Sequence, residues 1–405
     1  MAKTTTIRKI LTDEVFIEDN NNIINITRTG KVITDTADMG DPIGTVGDSD
    51  LAKHNIFNID GRVIGMDFAA YVGGEGSEIH VGKTGYLQAA YGVNMFGLEQ
   101  VLVNNGSIVG GSNDGVFVQT STDGRIVNNG MILGGQYGIE VGQSDGLSIN
   151  NGRNGYISGT SIAIAIDSQA GDANSIVNLG LINVTGSFTT SILDGDGDIN
   201  IRNKGTLSGN VYLGGGDDVF NGLGGTQVRS YVFGGLGNDT MFTDHADLGI
   251  SEESGEGIDT IKSTVSYTLD AFVENLTLLG KKNIDGTGNT EDNVLHGNSG
   301  DNTLNGDIGN DSIYGHRGDD ELTGAAGSDT FFFGTKDGND TITDFVSGAV
   351  DLINLSAWKA IDDFADVLAS AKDKGTDVVI TSGKDSLTIE DYHKADLLDI
   401  FFSFV

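Results

Sequence analysis

Residues 288–332 read GNTEDNVLH, GNSGDNTLN, GDIGNDSIY, GHRGDDELT and GAAGSDTFF, five nine-residue units in one unbroken register. Each opens with a glycine: Gly288, Gly297, Gly306, Gly315 and Gly324. Each carries a polar pair at its fifth and sixth positions and an apolar residue at its eighth, Leu295, Leu304, Ile313, Leu322 and Phe331. Six residues of such a unit make a turn and three make a short strand. Glycine without a Cβ reaches positive φ and lets the chain reverse tightly. The eighth side chain points inward to a thin apolar core. Two units complete one coil, so residues 18 apart in this sequence stack at the strand spacing of about 4.8 Å.

That stacking predicts which oxygens meet. Asp311 lies over Asp329, Asp320 over Asn302, and Asn293 under Asp311. Carboxylate and carbonyl oxygens on glycine turns are the hard ligands that Ca²⁺ takes, six to eight at a time. The spacing is that of the G-G-x-G-x-D-x-U-x calcium repeat of a parallel β-roll. Asp311 with Asp329 makes the strongest expected site. Asn302 with Asp320 has one sixth-position carboxylate, helped by Asp301 and Asp319, and Asn293 with Asp311 is weaker. Single turns of the same kind stand outside the array, at Asp218 (GGDDVF), Asp239 (GGLGNDTMF), Asp259 (GIDTI) and Asp340 (GNDTI). Any one of these alone reads equally as a solvated Gly-Asp turn.

Residues 213–405 resemble the RTX family of type I-secreted proteins. The run GIDTIKSTVSYTL, VENLTLLG, GTGNTEDNVLHGNSGDNTLNG is similar to the approach to RTX arrays. FFFGTKDGNDTITDFVSGAVDLINLSAW is similar to the segment that closes them in serralysin-type proteases. The resemblance implies calcium held by Asp311, Asp320 and Asp329 together with backbone carbonyls of the turns that carry Gly306, Gly309, Gly315, Gly318, Gly324 and Gly327. It implies export by an uncleaved C-terminal signal and no particular reaction.

The chain has 405 residues, a formal charge of −35 and a pI near 4.1. Such acidity argues against nucleic acid, which needs a basic surface, and against anionic lipid. With 62 Gly, one Pro and 38% hydrophobic residues in a patterned order, a repetitive β architecture is expected rather than disorder. No Cys is present, so disulfides cannot staple the fold; calcium can. The first residues, MAKTTTIRKILTDEVFIEDNNN, contain no apolar h-region, and no window is apolar enough for a membrane helix. Both facts fit the route the resemblance implies, so a secreted, extracellular or surface-associated chain is expected, with the type I machinery as export partner.

Upstream, turns with a glycine marker recur at Gly30, Gly61, Gly85, Gly106, Gly130, Gly152, Gly180 and Gly205. From Gly61 the steps are 24, 21, 24, 22, 28 and 25 residues. Short alternating strands flank each marker. A period near 24 without helical spacing predicts a three-sided parallel β-helix. Ile126, Val127, Ile132, Leu133, Ile139 and Val141 are its expected inward face. Asn104, Asn128, Asn150 and Asn178 are expected to form a ladder serving turn backbone groups. The run LDGDGDIN, with Asp194, Asp196 and Asp198, reads as a calcium trap or as a solvated acidic turn.

The expected architecture is therefore all-β. A leader or cap (1–22) precedes a β-solenoid (23–213), an RTX β-roll region (214–343), and a small α+β cap with the export signal (344–405). In that last part, 356–374 reads as an amphipathic helix through Trp358, Ile361, Phe364 and Leu368, with Ser356 and Gly375 as caps. Residues 378–381 and 387–389 read as a hairpin. The apolar end DLLDIFFSFV is either part of the export signal or a last strand covering the core. Phe331, Phe332 and Phe333 are expected to seal the roll.

No catalytic residues are assigned. The six histidines form no H-E-x-x-H, and no G-x-S-x-G elbow is present. The reading favoured is a calcium-binding extracellular solenoid with a structural or adhesive role, meeting polysaccharide or a cell surface. The contrasting class is a β-helix lyase or epimerase acting on acidic glycans. Its cationic groups would come from Arg125, Arg153 and Arg202 with Tyr137 or Tyr156, on one outer face.

Overall fold

A computed structural model describes residues 3–404 apart from 9, 12–14, 18–21, 34–42, 46–52, 188, 229–230 and 346–350. The chain divides into two compact units, Met1–Gly237 and Asn238–Val405. Part of the closing segment noted above, 346–350, lies outside the described residues.

The first unit is a three-sided parallel β-solenoid. One side stacks Glu78–Val81, Val101–Asn104, Arg125–Asn128, Ser148–Asn151, Ala173–Asn178 and Asp198–Asn203 in register. A second side is a ten-stranded parallel sheet that includes Ser107–Gly110, Met131–Leu133 and Tyr156–Gly159. The third carries Phe68–Gly73, Tyr91–Leu98, Val116–Thr122, Tyr137–Asp145 and Ile162–Ile166. Alternation with period two turns one column of each side inward. Leu102, Ile126, Ile149, Ile176 and Ile201 make one such column, and all are fully buried. Of the expected inward face, Val127 and Leu133 are only half-buried, because they alternate with Ile126 and Ile132. Lys3–Ile7, expected in a leader, pairs with Asn22–Ile26 as a further rung.

The glycine markers recur for steric reasons. A Cβ on Gly106 would strike the Gly85 carbonyl, one on Gly130 the Gly106 carbonyl, and one on Gly205 the Gly180 carbonyl. Beside them runs the asparagine ladder. Asn104 Nδ2 donates to Asn128 Oδ1 (2.8 Å), Asn128 to Asn151 (2.9 Å), Asn151 to Asn178 (2.9 Å) and Asn178 to Asn203 (2.8 Å). Asn150 is not a member. Strand register pairs Asn128 with Asn151, and Asn150 alternates to the outer side, where it donates to Ser148.

The second unit is a two-sided roll. Its first side stacks Asn275–Leu278, Val294–His296, Ser312–Tyr314, Thr330–Gly334 and Leu352–Ala357; its second stacks Thr303–Asn305, Glu321–Thr323 and Asn339–Ile342. Leu295 pairs with Ile313 and Ile313 with Phe331, the step of 18 residues that the nine-residue register requires. The eighth-position residues Leu295, Leu304, Ile313, Leu322 and Phe331 are fully buried. Phe333 is buried too, but Phe332 alternates outward and stacks on Tyr314 at 4.1 Å.

The end of the chain differs from the helix expected over 356–374. Leu352–Ala357 is a strand, the helix is only Phe364–Ser370, and Ala371–Lys374 is a strand again. Asp363, not Ser356, caps the helix through its side chain. Gly375 (φ 73°) turns the chain between Ala371–Lys374 and the antiparallel Asp377–Ser382. Trp358 and Ile361 are buried but precede the helix, so their spacing reflected packing and not helical period. The hairpin Asp377–Ser382 with Asp385–Ile389 forms where expected. Phe402–Ser403 pairs with the strand Leu352–Ala357, so the apolar end supplies a last short strand.

Candidate metal centre

The sixth-position residues of the array make two ladders. In one, the Asn293 N–H donates to Asp311 Oδ1 (2.8 Å), the Asp311 N–H to Asp329 Oδ1 (2.9 Å), and the Asp329 N–H to Asp351 Oδ1 (3.0 Å). In the other, the Asn302 N–H donates to Asp320 Oδ1 (2.7 Å) and the Asp320 N–H to Asp340 Oδ1 (3.0 Å). Asp311, Asp320, Asp329 and Asp340 are each at most 3% exposed. Oδ1 is thus spent on the coil before. Oδ2 of Asp311, Asp320 and Asp329 is buried with no hydrogen-bond partner among the described residues.

These orphaned oxygens point at the unit's first glycine. A Cβ on Gly306 would collide with Asp311 Oδ2 and come within 2.8 Å of the Gly324 carbonyl. One on Gly315 would lie 2.6 Å from Asp320 Oδ2, and one on Gly324 would collide with Asp329 Oδ2. So Gly306, Gly315 and Gly324 are required by this close approach. Positive φ belongs to the fourth position instead, Gly309 (134°), Gly318 (140°) and Gly327 (157°), and also to Asp307, His316 and Ala325 at the second. A carboxylate oxygen and a carbonyl converging on a Cβ-sized space fit a hard cation. Among the described residues no three His, Asp, Glu or Cys side chains group to hold a metal, so backbone carbonyls must complete any such shell.

The first two units show why an asparagine changes the chemistry. Asn293 Nδ2 donates to the Val273 and Glu274 carbonyls (3.1 and 3.3 Å), and Asn302 Nδ2 to the Ile284 carbonyl (2.6 Å). Here an amide hydrogen meets carbonyls of the preceding coil. An Asp311→Asn chain is therefore expected to lose bound calcium yet unfold less readily without it than the parent, whereas Asp311→Ala loses both. Calcium stoichiometry and a urea midpoint in EGTA would read the two apart; equal midpoints for Asn and Ala would refute it.

The single turns are built alike. Asp218 Oδ1 accepts from the Ile199 N–H (2.7 Å), and Asp259 Oδ1 from the Asp239 N–H (2.8 Å). Glu274, which the spacing did not reveal, accepts from the Asp259 N–H (2.8 Å). Asp351 and Asp344 were missed likewise; Asp344 accepts from the Gly324 and Ala325 N–H groups. Both follow a change of unit length, and only stacking puts them opposite the array. Asp301 and Asp319 form an outer exposed ladder, the Asp319 N–H donating to Asp301 (3.0 Å).

Asp194, Asp196 and Asp198 do not converge. Asp194 is buried and accepts from Ser168 Oγ (2.8 Å), while Asp196 and Asp198 are exposed. Nor do the arginines gather. Arg125 and Arg202 stand on the outer side of one sheet three coils apart, Arg153 lies in a turn, and Tyr137 and Tyr156 belong to the other two sheets.

Burial raises the ladder carboxyls: Asp311 to about 6, Asp320 to about 7 and Asp340 to about 8, with neighbouring carboxylates adding to the shift. Folding without metal therefore favours the proton. That stabilisation is complete below the ordinary carboxylate range near 4 and disappears as pH rises through about 6 to 8. Metal ligation needs the deprotonated form and releases protons. Apparent calcium affinity is accordingly expected to fall about tenfold or more from pH 8 to pH 5.5. Titrations at three pH values measure this, and a flat profile would contradict the burial argument.

The family model for the RTX calcium-binding nonapeptide repeat (4 copies) matches residues 287–322 and 296–331. This region is an RTX calcium-binding repeat array. Its cofactor is Ca²⁺. The chain is also 38% identical over 74 residues to the endo-1,3-1,4-beta-glycanase ExsH of Rhizobium meliloti (strain 1021), spanning 18% of this chain and only 16% of that relative. Among solved structures it is similar to the extracellular lipase LipA from Serratia marcescens, with a TM-score of 0.27 and 17% identity over 58% of this chain and 40% of that one. Among the described residues no helix is long and apolar enough to cross a membrane.

Proposed function

We propose that this RTX solenoid is a secreted protein that folds on meeting Ca²⁺ outside the cell and acts there as a structural or adhesive element on polysaccharide or a cell surface. The observation that carries the reading is the ladder of buried sixth-position carboxylates with unpartnered Oδ2 atoms. Asp311, Asp320, Asp329 and Asp340 supply carboxylates, as do Asp218, Asp239 and Asp259 in the single turns. Carbonyls of the turns at Gly306, Gly309, Gly315, Gly318, Gly324 and Gly327 complete the shells. Extracellular modules bind calcium at about 10⁻⁴–10⁻³ M, so cytosolic calcium leaves such sites empty and external calcium fills them. Residues 344–405 carry the export signal in this reading, beyond the calcium region 214–343.

Co-expression with a type I exporter tests the route. The full chain is expected in the medium and a chain lacking 344–405 inside the cell; retention of both alongside efficient export of a control RTX protein would reject it. The role is tested on alginate and pectin with calcium. Binding without new chain ends is expected, and unsaturated ends absorbing ultraviolet light would make the protein a lyase instead.

A further inference from the structure

The outer side of the solenoid's third sheet carries an aromatic surface built from successive coils. Phe68 stacks on Tyr91 with ring centroids 4.8 Å apart, Tyr71 meets Phe96 at 5.0 Å, and Tyr91 meets Phe117 at 6.0 Å. These rings come from three successive coils. Strand register puts Tyr71, Asn94, Phe117 and Glu140 in one outward column. Phe68 and Tyr91 share the next. The Gly92 N–H bonds the Asp114 carbonyl and the Gly115 N–H bonds the Tyr137 carbonyl, so Asp114 continues that column between the two tyrosines.

Core packing accounts for none of this. The inward positions of the same strands are already filled by Val93, Met95, Val116, Val118, Ile139 and Val141. In the middle of the rings, Asn94 is fully buried, and neither its Nδ2 nor its Oδ1 has a hydrogen-bond partner among the described residues. A buried amide left unmatched costs about 1–3 kcal/mol, and its register turns it toward the outer surface. Beside it Asp114, 1% exposed, faces Glu140; burial first and Glu140 second push the Asp114 carboxyl up, so it holds a proton and can donate. The site thus offers aromatic faces, an amide that both donates and accepts, a carboxylic acid and a carboxylate.

We infer that Phe68, Tyr71, Tyr91 and Phe117, with Asn94 and the Asp114–Glu140 pair, form a binding site for an uncharged polysaccharide strand. This deepens the surface role proposed above and rests on it only for location outside the cell. Sugar rings present C–H faces that lie on aromatic rings and hydroxyls that need both donors and acceptors, and this is the mixture the site supplies. Rings repeat at each coil, about 4.8 Å, a step comparable to one pyranose unit. Neither outward column contains Lys or Arg over Phe68–Gly73, Tyr91–Leu98, Val116–Thr122 and Tyr137–Asp145, so a uronate chain would meet Glu140 without a counter-charge. Uncharged glycan is therefore preferred over the acidic polymers that a β-helix lyase takes.

Calorimetry of the whole calcium-loaded chain with cellohexaose and with laminarihexaose, and with polygalacturonate oligomers for contrast, tests the inference. At least one neutral hexaose is expected to bind and the acidic one not. Tyr91→Ala and Phe117→Ala should each weaken binding tenfold or more, and Phe117→Trp should restore it, with calcium stoichiometry and melting temperature unchanged as the check on folding. Absence of binding by either neutral hexaose would overturn the assignment, as would preference for the uronate. Retention of binding in both alanine chains would move the site elsewhere. A concentration-dependent dimer lost in Tyr91→Ala would make the face a contact between copies. None of these results bears on calcium uptake or export, so the earlier reading stands or falls separately.

Discussion

Stripping calcium from the whole chain with EGTA is expected to erase amide-exchange protection in Ser312–Tyr314 and Thr330–Gly334 while Arg125–Asn128 and Ser148–Asn151 keep theirs. The two regions are held by different forces. Around 294–342 the inward column is one residue wide on each side, and the turns bury acidic side chains close together. Burial opposes ionisation of both Asp320 and Asp340; Asp337 and Asp319 add negative charge beside both, and Asp320 pushes the Asp340 carboxyl up further. A cation removes that penalty. At 100 times its dissociation constant each bound ion adds about 2.7 kcal/mol, so four ions add on the order of 10 kcal/mol, as much as the net stability of a domain. Loss of protection by a factor of a thousand or more is the expected size. Unchanged exchange in Ser312–Tyr314 after chelation would reject calcium as the source of the roll's rigidity.

The second large effect lies in the metal-independent unit. Asn128→Ala is expected to lower the stability of the solenoid by about 2–4 kcal/mol, because a fully buried amide is removed from the middle of a continuous ladder. Asn128 Nδ2 serves Asn151 Oδ1 (2.9 Å) and the Tyr156 carbonyl (3.2 Å), and its Oδ1 receives Asn104 Nδ2 (2.8 Å) and the Gly130 N–H (3.3 Å). Alanine removes all four bonds and leaves the buried Asn151 Oδ1 without its donor from the ladder, while Asn104 Nδ2 keeps only the Met131 carbonyl (3.0 Å). Asn129→Ala is the comparison: Asn129 is exposed and bonds only Asn105 Oδ1 (3.1 Å) through its side chain, so its loss should stay within about 0.5 kcal/mol. Urea midpoints at fixed calcium give both values. Similar losses for the two chains would mean that the ladder does not stabilise the solenoid.

The asparagine at 128 and its neighbour at 129 are indistinguishable as residue types in an Asn-Asn-Gly run. Which of a pair turns inward is set by strand phase, and phase is set by the coils on either side. In the coil at 150–152 an extra turn places Gly155 where the marker glycine stands elsewhere, its carbonyl facing Gly180. Asn151 therefore takes the inward place that Asn150 would have held. The same logic hid Asp351 and Asp344: neither stands at the nine-residue spacing, yet both close the ladder through hydrogen bonds to Asp329 and to Gly324 and Ala325.

Local sequence determined the repeating parts because each coil meets a neighbour in nearly the same environment. A period of nine with a glycine, an acid and an apolar residue at constant offsets leaves one way to stack, and the calcium chemistry follows from which oxygens that stacking aligns. Tertiary structure alone decided what depends on distant partners: the shortening of the helix to Phe364–Ser370, the outward turn of Phe332, and the gathering of Phe68, Tyr91, Asn94, Asp114 and Glu140 on one face. Those residues come from successive coils of unequal length, so their approach is a property of the register between coils and is not written in any single repeat.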